Sequence, residues 1–196
     1  MRIAFKEWAI VVDALGRGDQ IIILRKGGIA EGRGGFKVEH PEFLLFPTLF
    51  HQQRESVIPT AQERFDEISP SFPGTDIVRI DYFAKIVEWT EVGSIEALEN
   101  FRGQHIWRNE VLQERFDWGR NKNIFALVVR VFQLPQTVEL PMLPGYGGCK
   151  SWIELETEIA TENARPVIDD RQFEQKLARL RHSLQLTPGN FATKLT

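Results

Sequence analysis

"DIVRIDYFAKIVEWTEV", residues 76–92, places Val78, Ile80, Tyr82, Ala84 and Ile86 on one side and Arg79, Asp81 and Lys85 on the other. Phe83, Val87 and Trp89 are mixed into the second set, and the alternation predicts one long β-strand. "NIFALVVRVFQL" (123–134) predicts a second. Shorter apolar runs at "QIIILR" (20–25), "FKVE" (36–39), "EFLLFPT" (42–48), "TVELP" (137–141) and "KSWIEL" (150–155) add further strands. Pro47 confines the third of these to a strand end or an edge, because it has no N–H to give a ladder.

Helices fall between them. Phe5, Trp8, Ala9 and Val12 recur at i, i+3, i+4 and i+7, which predicts a helix over about residues 3–15, closed by Gly16 and Gly18. Residues 49–67 read as two helical pieces interrupted at Pro59, with Thr60 as N-cap. Ser94 caps a helix running to about Arg102, and Asn109 caps another in "RNEVLQERF". Strands do not alternate with single helices, so a doubly wound parallel sheet does not fit. The predicted class is α+β: a mixed, strongly bent sheet or small β-barrel with peripheral helices and a C-terminal helix.

The expected organisation is a main domain over 1–157, a polar linker over 158–168 ending in "RP", and a C-terminal helix and tail over 169–196. That helix carries Phe173, Leu177, Leu180 and Leu184 at helical spacing. Such a stripe either packs back on the domain or engages a protein partner. No apolar run approaches the roughly 18 residues a membrane span needs, so no membrane partner is expected. Cys149 is the single cysteine, which leaves no intramolecular disulfide or cysteine metal site and suits a cytoplasmic location.

The chain carries a formal net charge of −3, yet between Arg25 and Lys37 four basic residues stand against Glu31. That local excess sits in "RKGGIAEGRGG" (25–35), whose glycines let backbone amides approach an anion. Arg25, Lys26, Gly27, Gly28, Arg33 and Lys37 are therefore candidates for binding an anion or nucleic acid. Lys150 would add charge, and Tyr146 would stack on a base. The loop lacks Gly-Lys-Ser/Thr entering a helix, which disfavours a nucleoside triphosphatase. The plain alternative is a solvated loop whose charges serve solubility.

Two weaker constellations remain. Glu39 and His40 in "VEHPEF" stand at a strand end, where a carboxylate and an imidazole can share acid–base work. Asp76 and Asp81, with Lys85, are the nearest approach to a nuclease metal motif, but the Asp81–Lys85 spacing departs from Asp/Glu-x-Lys. No cofactor is implied.

"FKEWAIVVDAL", "IIILRKGGI", "VEHPEFLLFPTLFHQ", "RVFQL" and "YGGCKSWIEL", in that order across about the first 155 residues, resemble the bacterial family called domain of unknown function 1802. The resemblance implies no assigned activity; a link to restriction-modification systems has been suggested for the family. "EWAIVVDALGRGDQIIILRKG" is also similar to the opening of PUA-like domains, including the ASCH group, which are small β-barrels that bind RNA or modified bases. Carried over, Arg25 and Lys26 would line the ligand cleft. The insertions around 49–75 and 94–120 depart from that pattern. The leading expectation is a module that binds nucleic acid or a modified base, ahead of a nuclease or hydrolase and of a protein-interaction domain without chemistry.

Overall fold

The computed structural model describes residues 1–26, 38–49, 53–119 and 121–185. Seven strands form one mixed sheet: β1 (Ile3–Trp8), β2 (Ile22–Arg25), β3 (Glu42–Thr48), β4 (Ile77–Val92), β5 (Ile124–Pro141), β6 (Trp152–Glu154) and β7 (Arg165–Pro166). Their order is β2-β5-β4-β3-β1-β6, with β7 also on β5. Only β1 and β3 run parallel. Among the described residues five α-helices decorate it: α1 (Ala9–Gly16), α2 (Pro59–Ile68), α3 (Ile95–Glu99), α4 (Asn109–Asp117) and α5 (Asp170–Gln185). Among the described residues no helix is long and apolar enough to cross a membrane.

The sheet separates two cores, and β1 and β3 pass between them. Phe5, Phe43 and Leu45 face the larger core, while Ala4, Leu44 and Phe46 face the smaller. A strand buried on both sides loses the alternation that marks a half-exposed one. This explains the first departure from the sequence reading. Residues 3–8 are strand and the helix starts only at Ala9. The 3.6-residue stripe of Phe5, Trp8, Ala9 and Val12 spans a strand–helix junction. Hydrogen-bonded neighbours on both sides of β1, and the packing of Phe5 against Phe43 (5.2 Å) and Trp152 (4.8 Å), override the local pattern.

Elsewhere the differences are smaller. Pro59 opens α2 as its first residue, where a missing N–H costs nothing, so Ile58 rather than Thr60 stands at the cap. Ser94 caps α3 through Oγ, which accepts from the Ala97 amide at 3.2 Å. At α4 the cap position is Arg108 and Asn109 is already helical. "NIFALVVRVFQL" and "TVELP" merge into β5, which pairs with β4 along most of both strands. Register breaks at Ile80/Tyr82 and Ile86/Glu88 bend this pair, since bulges increase twist and curl a sheet. Residues 38–40 are not strand, and the rest of "FKVE" lies outside the described residues.

The C-terminal segment is stitched to the sheet. Val167 donates its amide to the Val131 carbonyl at 3.1 Å beyond the β5–β7 pairing. Phe173, Leu177 and Leu180 of α5 are buried in the larger core. Arg130 places its guanidinium 4.6 Å from the Phe173 ring centre and reaches Asp170 at 2.6 Å. Three residues of the α5 stripe are thus buried within this chain, and Leu184 is half-buried.

Gly18 makes that docking possible. Its φ is +71°, and a Cβ there would stand 2.2 Å from Ile168 Cγ2. The left-handed backbone alone costs an L-residue about 1–2 kcal/mol, and the clash adds to it. Gly18→Ala is expected to lower stability by more than that backbone term, read as a fall in the urea midpoint.

Candidate functional site

The sheet curls until the ends of its path meet. Arg25, the last residue of β2, donates from Nε to Ser151 Oγ at 3.0 Å, immediately before β6. Its guanidinium also lies 5.4 Å from the centre of the Phe5 ring on β1. Here a half-barrel acquires a mouth, and charged groups gather in it.

Glu7 shares a β1 face with Phe5, two residues on, and is 2% exposed. Its Oε1 accepts from the Trp8 amide at 2.8 Å. Burial pushes its carboxyl above the usual carboxylate range, opposed by the charge of Arg25, the Trp8 N–H and the charge of Arg115. Protonated, such a carboxyl donates a hydrogen bond; ionised, it only accepts.

Arg115 comes from α4. Its guanidinium carbon stands 3.8 Å from the centre of the Trp107 ring and 4.9 Å from that of Trp8, and the two indoles meet edge to face at 4.8 Å. A planar cation on an aromatic face is a favourable and rigid arrangement. Burial lowers its pKa to about 10, with Glu7 raising it and Arg25 lowering it, so it remains charged at neutral pH. Among the described residues it makes no hydrogen bond and no ion pair. Trp107 beneath it is 1% exposed, and its indole N–H also lacks a partner among the described residues.

Lys6 extends the positive field. Its ammonium donates to the Gly148 carbonyl at 2.7 Å, and its backbone N–H to that of Ser151. Burial lowers its pKa, Cys149 opposes this, and Arg25 and Lys150 act with burial, which places both cations near it. The turn before β6 therefore brings Lys150 towards Arg25 across more than a hundred residues of chain.

The structure deals differently with the other expected residues. Lys26 donates to the carbonyls of Phe116 (3.1 Å), Asn121 (2.5 Å) and Asn123 (3.1 Å), so its ammonium ties the end of β2 to the end of α4. Its donors are spent on the fold. Tyr146 is buried in the smaller core, packs on Phe46 at 5.8 Å, and accepts the Glu156 amide on its hydroxyl, so its ring is not presented to a ligand. Gly27, Gly28, Arg33 and Lys37 lie outside the described residues.

His40 rests edge-on against Trp152 at 5.2 Å, beside the mouth, while Glu39 is exposed; no hydrogen bond among the described residues joins the two. Asp76 is exposed, and Asp81 Oδ1 accepts from the Thr137 hydroxyl. Among the described residues no group of three or more His, Cys, Asp or Glu side chains could hold a metal ion. Glu7, Trp8, Trp107 and Arg115 are the residues that sequence reasoning missed as a site. The available signal was Lys6-Glu7, a charged pair inside an apolar stretch.

A family model described as Domain of unknown function (DUF1802) matches residues 4–179, which carries the match beyond residue 155 and into α5. No curated protein matches the chain. Among solved structures it is similar to the ASCH protein from Zymomonas mobilis, with 10% identity and a TM-score of 0.43 over 91% of this chain and 94% of that one.

Proposed function

We propose a function for a chain that belongs to the family described as Domain of unknown function (DUF1802): it binds nucleic acid, taking a phosphate or an unstacked base into the mouth where β2 meets β6. The observation that carries this reading is Arg115, a half-buried, charged guanidinium held on Trp107 that makes no hydrogen bond among the described residues. Its N–H groups are set in one plane for an acceptor such as a phosphate or a base edge. Because the ring already fixes the side chain, little rotamer entropy remains to be lost on binding.

Arg25, Lys6 and Lys150 concentrate positive charge in a chain whose net charge is −3, which draws an anion to this end of the barrel. Arg33 and Lys37, with Gly27 and Gly28, continue the basic loop in sequence and belong to the proposed interface. A planar guanidinium that can meet a base edge favours single strands, whose bases are free to leave the stack.

The test is fluorescence anisotropy of labelled single-stranded RNA, single-stranded DNA and duplex DNA at about 50 and about 200 mM salt. Single strands are expected to bind more tightly than duplex. The logarithm of the binding constant should fall by about 0.7 per logarithm of salt for each phosphate engaged. Binding indifferent to salt, or none, contradicts the reading.

Lys26 supplies an internal control. Lys26→Met removes a charged donor from three carbonyls and is expected to cost about 1–3 kcal/mol of stability. Affinity per folded molecule should stay within about twofold, because that ammonium faces the protein. Chemical denaturation and anisotropy on the same preparation separate the two effects.

A further inference from the structure

A second concavity, of about 280 Å³, lies away from the basic mouth between α1, α2 and β4. Val12, Ile68, Phe72 and the Tyr82 ring line its apolar part, and Asp81 lies at its polar side. Its size is close to the lower end of small-molecule pockets, about 300 Å³.

Most charges around it are already matched. Arg64 holds Asp13 through two bonds of 3.1 and 3.0 Å and Glu67 through a third of 3.0 Å. Arg79 donates to Glu139 at 2.7 Å and to the Ser71 carbonyl at 3.0 Å. Asp81 differs. One of its oxygens accepts from Thr137, and among the described residues the other accepts no hydrogen bond; the Tyr82 hydroxyl, on the same cavity, makes none either.

The backbone explains why Asp81 is turned this way. In the β4–β5 ladder Ile80 pairs with Val138 but Tyr82 pairs with Gln133, so Asp81 sits in the register break between them. A bulge re-aims the side chain it carries, a device common beside binding sites. Gly16 completes the arrangement: a Cβ there would meet the Tyr82 ring at 2.4 Å, so glycine lets α1 close on that ring and hold it in the wall.

We propose that this pocket binds a small aromatic amine, its ring between Phe72 and Tyr82 and its protonated or amino nitrogen donating to Asp81. The apolar lining takes the ring, and the unpaired carboxylate oxygen selects a donor over an acid. This inference stands apart from the nucleic-acid reading and uses none of its residues.

Two probes with the same ring and opposite charge test it: tryptamine and indole-3-propionate, titrated into ¹⁵N-labelled protein and into its Asp81→Asn variant. Asparagine keeps an oxygen for Thr137, so the fold is retained. The expected result is saturable shifts at the Ala9, Val12 and Tyr82 amides with tryptamine, at least tenfold weaker shifts with indole-3-propionate, and loss of that preference in Asp81→Asn. Equal affinity for the two probes, an unchanged preference in Asp81→Asn, shifts confined to other residues, or no binding of tryptamine would each overturn the proposal.

Discussion

In the Arg115→Gln protein, single-stranded RNA or DNA is expected to bind about ten- to a hundredfold more weakly than in the unaltered chain, the range corresponding to one charge-assisted hydrogen bond at about 1.5–3 kcal/mol. Glutamine keeps a polar side chain of similar reach but neither the charge nor the flat donor set that lies on Trp107. Arg115→Lys separates these two properties. It restores the charge, and with it the salt dependence, but not the stacked plane, so it should recover only part of the affinity. Loss of the ring contacts also costs stability, about 0.5–2 kcal/mol. Affinities are therefore compared at temperatures where thermal melts show both proteins folded. A Gln variant that binds as tightly as the original removes Arg115 from the interface.

The second large effect is on acid stability and rests on His105. Its imidazole is 6% exposed, and burial lowers its pKa from 6.5 to about 4. Its Nδ1 accepts the Trp107 amide at 3.2 Å, so the proton of the neutral ring sits on Nε2, which has no partner among the described residues. Between pH 6.5 and about 4 the unfolded chain binds this proton and the folded chain does not. Stability from this group is therefore complete above about pH 6.5 and is lost as pH falls to about 4, a total of about 3 kcal/mol.

Glu7 works in the opposite direction. Its folded pKa is raised above 4.5, so its contribution declines as pH rises from 4.5 through that raised value. The two slopes overlap, and comparison with His105→Asn isolates the histidine because asparagine still offers an oxygen to the Trp107 amide. Urea melts from pH 7 to pH 4 should show the unaltered protein losing about 3 kcal/mol more than the variant. Parallel losses in the two proteins would mean that His105 is protonated in the folded state.

The site depends on contacts that no local pattern contains. Arg115 reads as one more charge on a polar helix face, because its ring partners come from the loop before α4 and from the end of β1. Lys26 reads in sequence as an anion-binding candidate, yet its three acceptors lie ninety or more residues away. The two long strands are legible because β4 alternates over its first residues and β5 opens on a run of β-branched and apolar residues buried on both faces, and the Ser94 cap because its chemistry is confined to four residues. β1 is not, since it lies between two cores and runs directly into α1, so its apolar positions imitate a helix. The convergence of Arg25 with the turn carrying Lys150 follows from the curl of the sheet, to which the β4–β5 register breaks contribute.

If the mouth receives nucleic acid through the guanidinium resting on Trp107, both partners of that stack must sense the ligand. The most direct measurement follows the Arg115 Nε–H and Trp107 Nε1–H signals by ¹H–¹⁵N NMR while a short single-stranded oligonucleotide is added. Both signals are expected to shift and saturate together, at the affinity given by anisotropy. An oligonucleotide that binds while both signals stay still, or one that does not bind at all, would contradict this.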